Sequence, residues 1–487
     1  MKTSISSNSG VASGTTRRQF LKTGFGAAAA VLGQRLDASA IRKKPMNILF
    51  LTVDDLRPQL ACYGVAWMKT PNIDRLASGG TVFERAYSQF PICGPSRASM
   101  HSGLRPTAAR FGKWNARIDS DCPGVLTMPE HFKRNGYLTQ SLGKVIHDRD
   151  DCEQAWSEGA WLPDGVLGAS PRSYMLPENR ALSEAKVAPP AFESAAVEDS
   201  AYGDGQIAAR ACEELKRLAG ADKPFFLAVG FLRPHLPFTA PTKYWDLYSR
   251  DQLPMAENPH PPRNVPKEAL TNWEELRKYG GMPQEGPLDE ATARKLIHGY
   301  CASVSYLDAQ VGRVLDTLDA LGLRKNTLIV LLADHGWQLG DHGLWSKHTL
   351  FEKTLHCPLI LSGPGVSKGR RVAGLVEYVD VYPTLCAASD LPIPPHVQGR
   401  SFLSLLRNPD GAGKDAVFSR HGNGESVKTD RYRYSEWRAK SGTVVARMLY
   451  DHVSDPGENI NIAEEPGSGK VVAELSRRIA DQISKNA

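Results

Sequence analysis

Two apolar runs that end in acidic side chains constrain the fold of this 487-residue chain more than any other feature. The run Met46–Val53 leads into Asp54-Asp55, and the run Asn326–Ala333 leads into Asp334-His335. Short continuous apolar runs predict central parallel strands that are covered on both faces. Because the carboxyl ends of such strands share one edge of a doubly wound sheet, we expect both acidic groups to meet there.

Neighbouring carboxylates at one sheet edge repel each other by about 1 to 4 kcal/mol at close range. A divalent cation relieves that repulsion, and hard oxygen ligands favour Ca²⁺ or Mg²⁺ over zinc. An isolated Asp-Asp pair more often opens a solvated loop, but a second strand of the same design favours a metal site. Asp54, Asp55 and Asp334 are therefore candidate metal ligands.

The segment Cys93-Gly94-Pro95-Ser96-Arg97 forms the second informative feature. Gly94 and Pro95 require a turn, and Ser96–Ser102 can begin a short helix, so the cysteine lies near exposed backbone N–H donors that suit an anion. The guanidinium of Arg97 adds a fixed fork of donors for sulfate or phosphate. A lone cysteine is more often a small buried apolar residue, so the interpretation depends on what the rest of the chain supplies.

Four further polar residues follow predicted strands or turns. Lys144 and His147 come after the turn-and-strand unit that begins at Asn135, His235 lies between two prolines beyond a third apolar run, and Lys347 ends a glycine-rich loop. Side chains at strand ends can reach a common anion, and a histidine there can act as an acid or base. The alternatives are surface positions for Lys144 and His147 and a packed loop position for His235.

These motifs resemble those of the type I sulfatases, whose signature is Cys-x-Pro-Ser-Arg followed by a Gly-Leu-Arg-Pro step. The likeness runs from Met46 to about Asn461, and several stretches are most similar to the iduronate-2-sulfatase branch. Those stretches are Gly143–His147, Arg233–Phe238, Asp334–Gly343 and Thr429–Tyr434. The resemblance implies an alkaline-phosphatase-like α/β fold: a large mixed, mostly parallel central sheet flanked by helices, with a smaller C-terminal α+β subdomain that carries a short antiparallel sheet.

The resemblance also implies roles for individual residues. Cys93 would be oxidised to formylglycine by a formylglycine-generating enzyme, and the formylglycine hydrate would be the nucleophile. One Ca²⁺ ion, rather than Mg²⁺, would be held by Asp54, Asp55, Asp334, His335 and an oxygen of modified Cys93. The implied catalytic residues are Cys93, Arg97, Lys144, His147, His235 as general acid, and Lys347. The implied substrate contacts are Lys144, His235, Lys347 and Asn115.

The predicted function is that of an exported sulfatase that cleaves sulfate esters of a sulfated sugar. A 2-O-sulfated uronic acid of a glycosaminoglycan-type or other polysaccharide would fit the resemblance. Two alternatives stay open at this point. One is a phosphodiesterase or phosphonate monoester hydrolase of the same superfamily, and the other is a non-catalytic glycan-binding relative in which Cys93 remains a thiol.

The amino-terminal segment predicts export. Residues 1–40 contain the pair Arg17-Arg18, a short apolar stretch and the small-residue site Ala38-Ser39-Ala40, which together are typical of a twin-arginine signal peptide. The apolar stretch is too short for a stable membrane span, so we expect a bacterial periplasmic or secreted protein that uses the twin-arginine export machinery. We assign residues 41–410 to a catalytic domain and 411–487 to the C-terminal subdomain.

Charge and cysteine spacing exclude other classes. The signal segment carries five basic residues and one acidic residue, so the net charge of the remaining chain falls from +6 to about +2. A protein that reads nucleic acid needs a strongly basic face, which this balance does not supply. The eight cysteines show no Cys-x-x-Cys spacing, so zinc-finger and thioredoxin-like interpretations fail, and we expect few or no disulfide bonds.

Overall fold

The apolar runs of the sequence form the centre of a large mixed sheet in the computed structural model, which describes residues 45–486. The predicted signal peptide lies outside these residues. Every residue of the three central strands is buried, because helices cover both faces of the sheet. In chain order the strands are β1 (Asn47–Val53), β2 (Thr81–Tyr87), β3 (Leu138–Gly143), β4 (Phe192–Ala195), β5 (Phe225–Phe231), β6 (Phe238–Pro241), β7 (Thr327–Ala333), β8 (Gln338–Leu339), β9 (Trp345–Ser346), β10 (His356–Ser362), β11 (Arg370–Val372), β12 (Val376–Glu377), β13 (Val417–His421), β14 (Gly424–Lys428), β15 (Tyr432–Arg438) and β16 (Val444–Asp451).

The α-helices are mostly short, with three long exceptions in α6, α9 and α13. In chain order they are α1 (Pro71–Ser78), α2 (Cys93–Ser102), α3 (Ile118–Asp121), α4 (Met128–Arg134), α5 (Pro177–Glu184), α6 (Gly203–Ala219), α7 (Thr242–Trp245), α8 (Glu274–Arg277), α9 (Glu290–Ala320), α10 (Glu352–Leu355), α11 (Val381–Ala388), α12 (Leu403–Arg407) and α13 (Gly469–Asn486). Within residues 45–486, none of them combines the length and apolar character needed to cross a membrane.

The central sheet has the strand order β11-β2-β10-β7-β1-β5-β3, with β12 also paired to β2. Strands β3, β5, β1 and β7 run parallel to one another, whereas β10 is antiparallel to both β7 and β2. This mixed, mostly parallel arrangement confirms the predicted α/β fold class. It also places the carboxyl ends of β1, β5 and β7 side by side, which is where ligand sites form in such sheets.

The C-terminal part contains a four-stranded antiparallel sheet of β13 to β16, covered by α13. Val427 and Tyr434 of the sheet pack with Leu475 and Ile479 of the helix in a separate small apolar core. This arrangement confirms the short antiparallel sheet of the predicted C-terminal α+β subdomain. All described residues belong to one compact unit, so the domain boundary at residue 410 stays a prediction.

The composition of the segment from Asp148 to Ser200, rich in Ala, Pro, Ser and acidic residues, predicts long loops, but the segment contains regular structure as well. It includes α5 and the four-residue strand β4, which pairs in parallel with β6. A strand this short has too few residues for an alternating pattern, and its partner lies more than forty residues away in sequence. Only the tertiary fold brings the two strands together.

Candidate active site

The acidic groups that follow β1 and β7 meet at the carboxyl edge of the central sheet, as the apolar runs predicted. Oxygen atoms of Asp54, Asp55 and Asp334 all lie within 4.8 Å of one another. The backbone N–H of Asp55 donates to Asp334 Oδ1 at 3.1 Å, which ties the two strand ends together. All three side chains are buried, so their charges need compensation from nearby cations.

Cys93 enters this group from the first residue of α2. Its Sγ lies 3.3 Å from His335 Nε2, 3.3 Å from Lys347 Nζ and 4.0 Å from Asp55 Oδ1. The helix begins at Cys93, three residues before the predicted start at Ser96, because a proline in the first turn removes an N–H that has no partner within the helix.

The residue after the cysteine has to be glycine for steric reasons. A Cβ atom at Gly94 would collide with the backbone oxygen of Trp114. This close approach lets the loop that carries Trp114 and Asn115 pack directly against the start of α2. Asn115 itself is exposed and flanks the site, and the indole of Trp114 is 66% exposed beside it.

Three cations neutralise the three carboxylates, and we call these six residues the active-site cluster (Asp54, Asp55, Arg97, Lys144, Asp334, Lys347). Lys144 Nζ lies 2.6 Å from Asp54 Oδ2, and Lys347 Nζ lies 2.8 Å from Asp55 Oδ1. Burial alone would raise the pKa of Asp54, but Lys144, His235 and Arg97 outweigh it and hold that pKa well below its ordinary value. The pKa of Asp55 is raised, because burial outweighs the attraction of Lys347.

Arg97 lies beneath the cluster and is completely buried. Its Nε donates to Asp334 Oδ2 at 2.9 Å and its Nη2 to Asp54 Oδ1 at 3.2 Å, while Nη1 donates to the backbone oxygens of Lys144 and Val145. The sequence suggested a fork aimed at sulfate. In the structure each of the three guanidinium nitrogens instead donates to the protein, so Arg97 fixes the carboxylates and the end of β3.

His335 is oriented as a ligand for a metal ion. Its Nδ1 lies 2.9 Å from the backbone oxygen of Gly336, so Nδ1 carries the proton and Nε2 presents its lone pair to Asp55 and Cys93. Together with the three carboxylates, this nitrogen forms a mainly oxygen donor set. That chemistry fits a hard divalent cation better than a soft one.

The surroundings of His235 and His147 shift their pKa values in opposite directions. His235 Nδ1 contacts the Leu236 backbone oxygen at 2.7 Å, and its pKa is raised because Asp55 and other carboxylates outweigh the effect of burial. Burial and the charge of Lys144 lower the pKa of His147 to about 3, so its ring is neutral at physiological pH. Its Nδ1 is buried with no hydrogen-bond partner, and its ring meets Trp114 edge-on with centroids 6.4 Å apart.

Glu275 is a charged residue at the site that the sequence did not indicate. Its Oε1 lies 3.0 Å from His235 Nε2 and 3.4 Å from Lys347 Nζ. It belongs to α8, a four-residue helix inside the proline-rich segment 253–286, whose composition predicts irregular structure. No motif marks it, because its place at the site depends on how that segment packs against the sheet edge.

Comparison with known proteins identifies the families to which most of the chain is similar. The family model described as sulfatase matches residues 46–391, and the one described as N-sulphoglucosamine sulphohydrolase, C-terminal, matches residues 340–485. Iduronate 2-sulfatase of Mus musculus is 35% identical over 394 residues, which cover 73% of this chain and 71% of that protein.

Two solved structures share the fold. The phosphonate monoester hydrolase of Agrobacterium radiobacter aligns with a TM-score of 0.72 and 23% identity over 91% of this chain and 96% of its own. A protein in complex with its substrate D-glucosamine-2-N,6-O-disulfate aligns with a TM-score of 0.72 and 20% identity over 91% and 98%. At such identities they establish the architecture alone. The family match and the mouse relative go further, and by them this chain belongs to the sulfatases, a family of sulfuric ester hydrolases, in a branch similar to iduronate 2-sulfatase.

Proposed function

We propose that this protein is an exported sulfatase that hydrolyses sulfate esters of a sulfated sugar, with formylglycine derived from Cys93 and one bound Ca²⁺ ion. The observation that carries the proposal is the position of Cys93 Sγ. It lies within 4.0 Å of the Asp55 carboxylate, the His335 imidazole and the Lys347 ammonium, which come from two distant parts of the chain. A core cysteine has no need of such neighbours.

The unmodified thiol is poorly suited to be the nucleophile. Burial and the charge of Asp54 raise the pKa of Cys93 well above its ordinary value, so the thiolate that would attack is scarce. We infer that a formylglycine-generating enzyme oxidises Cys93. One hydroxyl of the formylglycine hydrate would attack the sulfur atom. The second hydroxyl would then collapse to a carbonyl and expel the bound sulfate.

The residues that would hold the metal are Asp54, Asp55, Asp334 and His335, together with an oxygen of modified Cys93. The ion would supply positive charge against the sulfate oxygens. Without it, the active-site cluster contains three carboxylates and three cations, with Lys144 and Lys347 engaged by Asp54 and Asp55. Binding an anionic ester in a neutral cluster is less favourable than binding it in one that carries an added dication.

The chain's own residues then divide the remaining work. Lys144 and Lys347 are buried cationic donors that would stabilise charge on the sulfate oxygens. His147 would orient or deprotonate the nucleophilic hydroxyl. His235 is the general acid that protonates the departing sugar oxygen.

A sugar substrate is supported by the rim of the site and by the relatives. Trp114 presents an exposed indole beside His147, and exposed aromatic rings offer a flat apolar surface of the kind that packs against a sugar ring. The adjacent Asn115 offers an amide for hydroxyl groups. The similarity to mouse iduronate 2-sulfatase favours a sulfated uronic acid, with sulfate on the 2-hydroxyl.

The proposal is tested by mass spectrometry of the Cys93 peptide and by ester hydrolysis with the same preparation. We expect the peptide to carry the aldehyde mass, and we expect inorganic sulfate to be released from a 2-O-sulfated uronate disaccharide. Matched phosphate and phosphonate esters are assayed in parallel. Faster release of phosphate or phosphonate would replace the sulfatase proposal with a phosphonate or phosphodiester hydrolase, and an intact thiol with glycan binding but no turnover would indicate a non-catalytic relative.

A further inference from the structure

A half-buried carboxylate beside an anion site needs an explanation, and Glu275, whose side chain is 21% exposed, is such a group. It would repel a sulfate ester, and its own burial is unfavourable without close cations. Burial would raise the pKa of Glu275, but Lys347 and His235 outweigh it and hold the pKa well below its ordinary value, so the side chain is ionised. Because the negative charge of Glu275 weakens the binding of an anionic substrate, the residue must provide a benefit that outweighs this loss.

The segment that carries Glu275 is firmly held. The guanidinium of Arg277 lies over the ring of Trp273, 3.4 Å from its centroid, and donates to the backbone oxygens of Asn272, Pro283 and Gly286. Through these contacts the side chain of Arg277 holds the two ends of the loop 272–286 together. The carboxylate of Glu275 is therefore presented from a fixed backbone.

The contacts of Glu275 join two residues that reach the site from different loops. Its Oε1 lies 3.0 Å from His235 Nε2 and 3.4 Å from Lys347 Nζ, while its Oε2 is buried with no partner. His235 Nδ1 contacts the backbone oxygen of Leu236 at 2.7 Å, so Nε2 is the ring nitrogen that faces Glu275 and the site. Without Glu275 the ring would keep one anchor only.

We propose that Glu275 is a positioning residue that holds His235 and Lys347 as a pair at the point where the sugar oxygen leaves the sulfur. This inference rests on the proposed sulfatase function. As the bond between sulfur and the sugar oxygen breaks, its electron pair remains on that oxygen, which takes the Nε2 proton of His235. The nucleophile's new bond to sulfur is kept, and Glu275 stays ionised throughout. Its part is to keep the donor and the ammonium in place.

The first test is the kinetics of Glu275→Ala on the sugar sulfate that the wild type hydrolyses best. A positioned general acid contributes about 10²- to 10⁴-fold, so we expect kcat to fall by about ten- to a hundred-fold, with KM changed by less than about three-fold. Glu274→Ala is the matched control, because Glu274 is the exposed neighbour on the same short helix. Glu275→Gln, which keeps the shape, serves if the alanine variant folds poorly, and Glu275→Asp should restore part of kcat.

A double-mutant cycle with His235→Ala separates positioning from a general structural effect. Because Glu275 also lies close to Lys347, we expect Glu275→Ala to cause a much smaller further loss of kcat in the His235→Ala background than in the wild type. An undiminished further loss there, a change confined to KM, or an unchanged kcat in the single variant would overturn the proposal. The ring N–H signals of ¹⁵N-labelled histidine give a readout that needs no turnover, since the Nε2–H signal of His235 should change in Glu275→Ala and persist in Glu274→Ala. A wild type that releases no sulfate would refute the proposed function, whereas an unchanged Nε2–H signal would refute the positioning.

Discussion

The active-site cluster can be compared with a second group of paired charges in the described part of the chain, and of these two only the active-site cluster has the features of a reactive site. The second, which we call the junction cluster (Arg105, Glu377, Asp380, Lys414), lies between the end of β12 and the beginning of the C-terminal sheet. Arg105 Nη1 donates to Glu377 Oε1 at 2.6 Å, and Lys414 Nζ lies 2.6 Å from Asp380 Oδ1. By residue type alone it resembles the active-site cluster.

The difference lies in what remains unsatisfied. In the junction cluster, backbone N–H groups of Phe418, Arg400 and Glu377 complete the carboxylate contacts. In the active-site cluster, Cys93 and the Nε2 lone pair of His335 face the carboxylates. Buried charge pairing therefore does not identify a catalytic site, because it also serves to join parts of a fold. A reactive atom held among the charges does.

The first prediction has the largest expected effect and concerns the active-site cluster. Replacing Cys93 by alanine removes the proposed nucleophile, so we expect sulfate release to fall by about 10⁴-fold or more. The melting temperature should change little, because only one sulfur atom is lost. Cys386→Ala is the control, since Cys386 is a buried cysteine of α11 with no charged neighbour in the active-site cluster. Comparable activity of the two variants would remove Cys93 from the mechanism.

The second prediction breaks the junction cluster. Glu377→Ala leaves the buried Arg105 and the half-buried Lys414 without their shared partner, so we expect the free energy of unfolding to fall by about 3 to 5 kcal/mol. Denaturant unfolding measures this loss, and the folded fraction should keep its specific activity. Asp316→Ala removes an exposed ion pair with Arg75 and should cost less than about 1 kcal/mol. Equal costs for the two variants would mean that the junction cluster contributes no special stability.

The third prediction concerns how the stability that the junction cluster contributes depends on pH. Arg105 and Lys414 outweigh burial and lower the pKa of Glu377 from its ordinary 4.5 to about 2. A carboxyl whose folded-state pKa is depressed stabilises the protein above its unfolded pKa, and that stability is lost as the pH falls through the folded value. We therefore expect wild-type stability to decline from about pH 4.5 towards pH 2, and Glu377→Gln to lack this component. Parallel curves for both proteins would contradict the assignment.

Much of the candidate site could be predicted from local sequence. Asp54 and Asp334 follow continuous apolar runs, and parallel strands deliver their carboxyl ends to one edge whatever the loops do. Cys93 was marked by its turn residues and by the arginine that follows it. Each of these signals is contained in a few consecutive residues, so it can be recognised without knowledge of the tertiary fold.

The rest depends on contacts between distant segments. Glu275 is placed by the packing of Arg277 on Trp273 and by backbone oxygens up to nine residues further along the chain, and none of this gives a periodic pattern. The donors of Arg97 were expected to face an anion, but carboxylates from two other strands engage them. The parallel pairing of β4 with β6 was missed for the same reason, because short strands acquire their partners only in the folded chain.

The most direct test of the central claim is the binding of Ca²⁺ to the purified protein, measured by isothermal titration calorimetry. Because Asp334 belongs to the active-site cluster and Glu377 belongs to the junction cluster, the two positions give a matched pair of variants. We expect the wild type and Glu377→Gln to bind one ion per chain, and Asp334→Asn to show no detectable binding. No binding by the wild type, or equal binding by wild type and Asp334→Asn, would contradict a metal site at the carboxyl edge of the sheet.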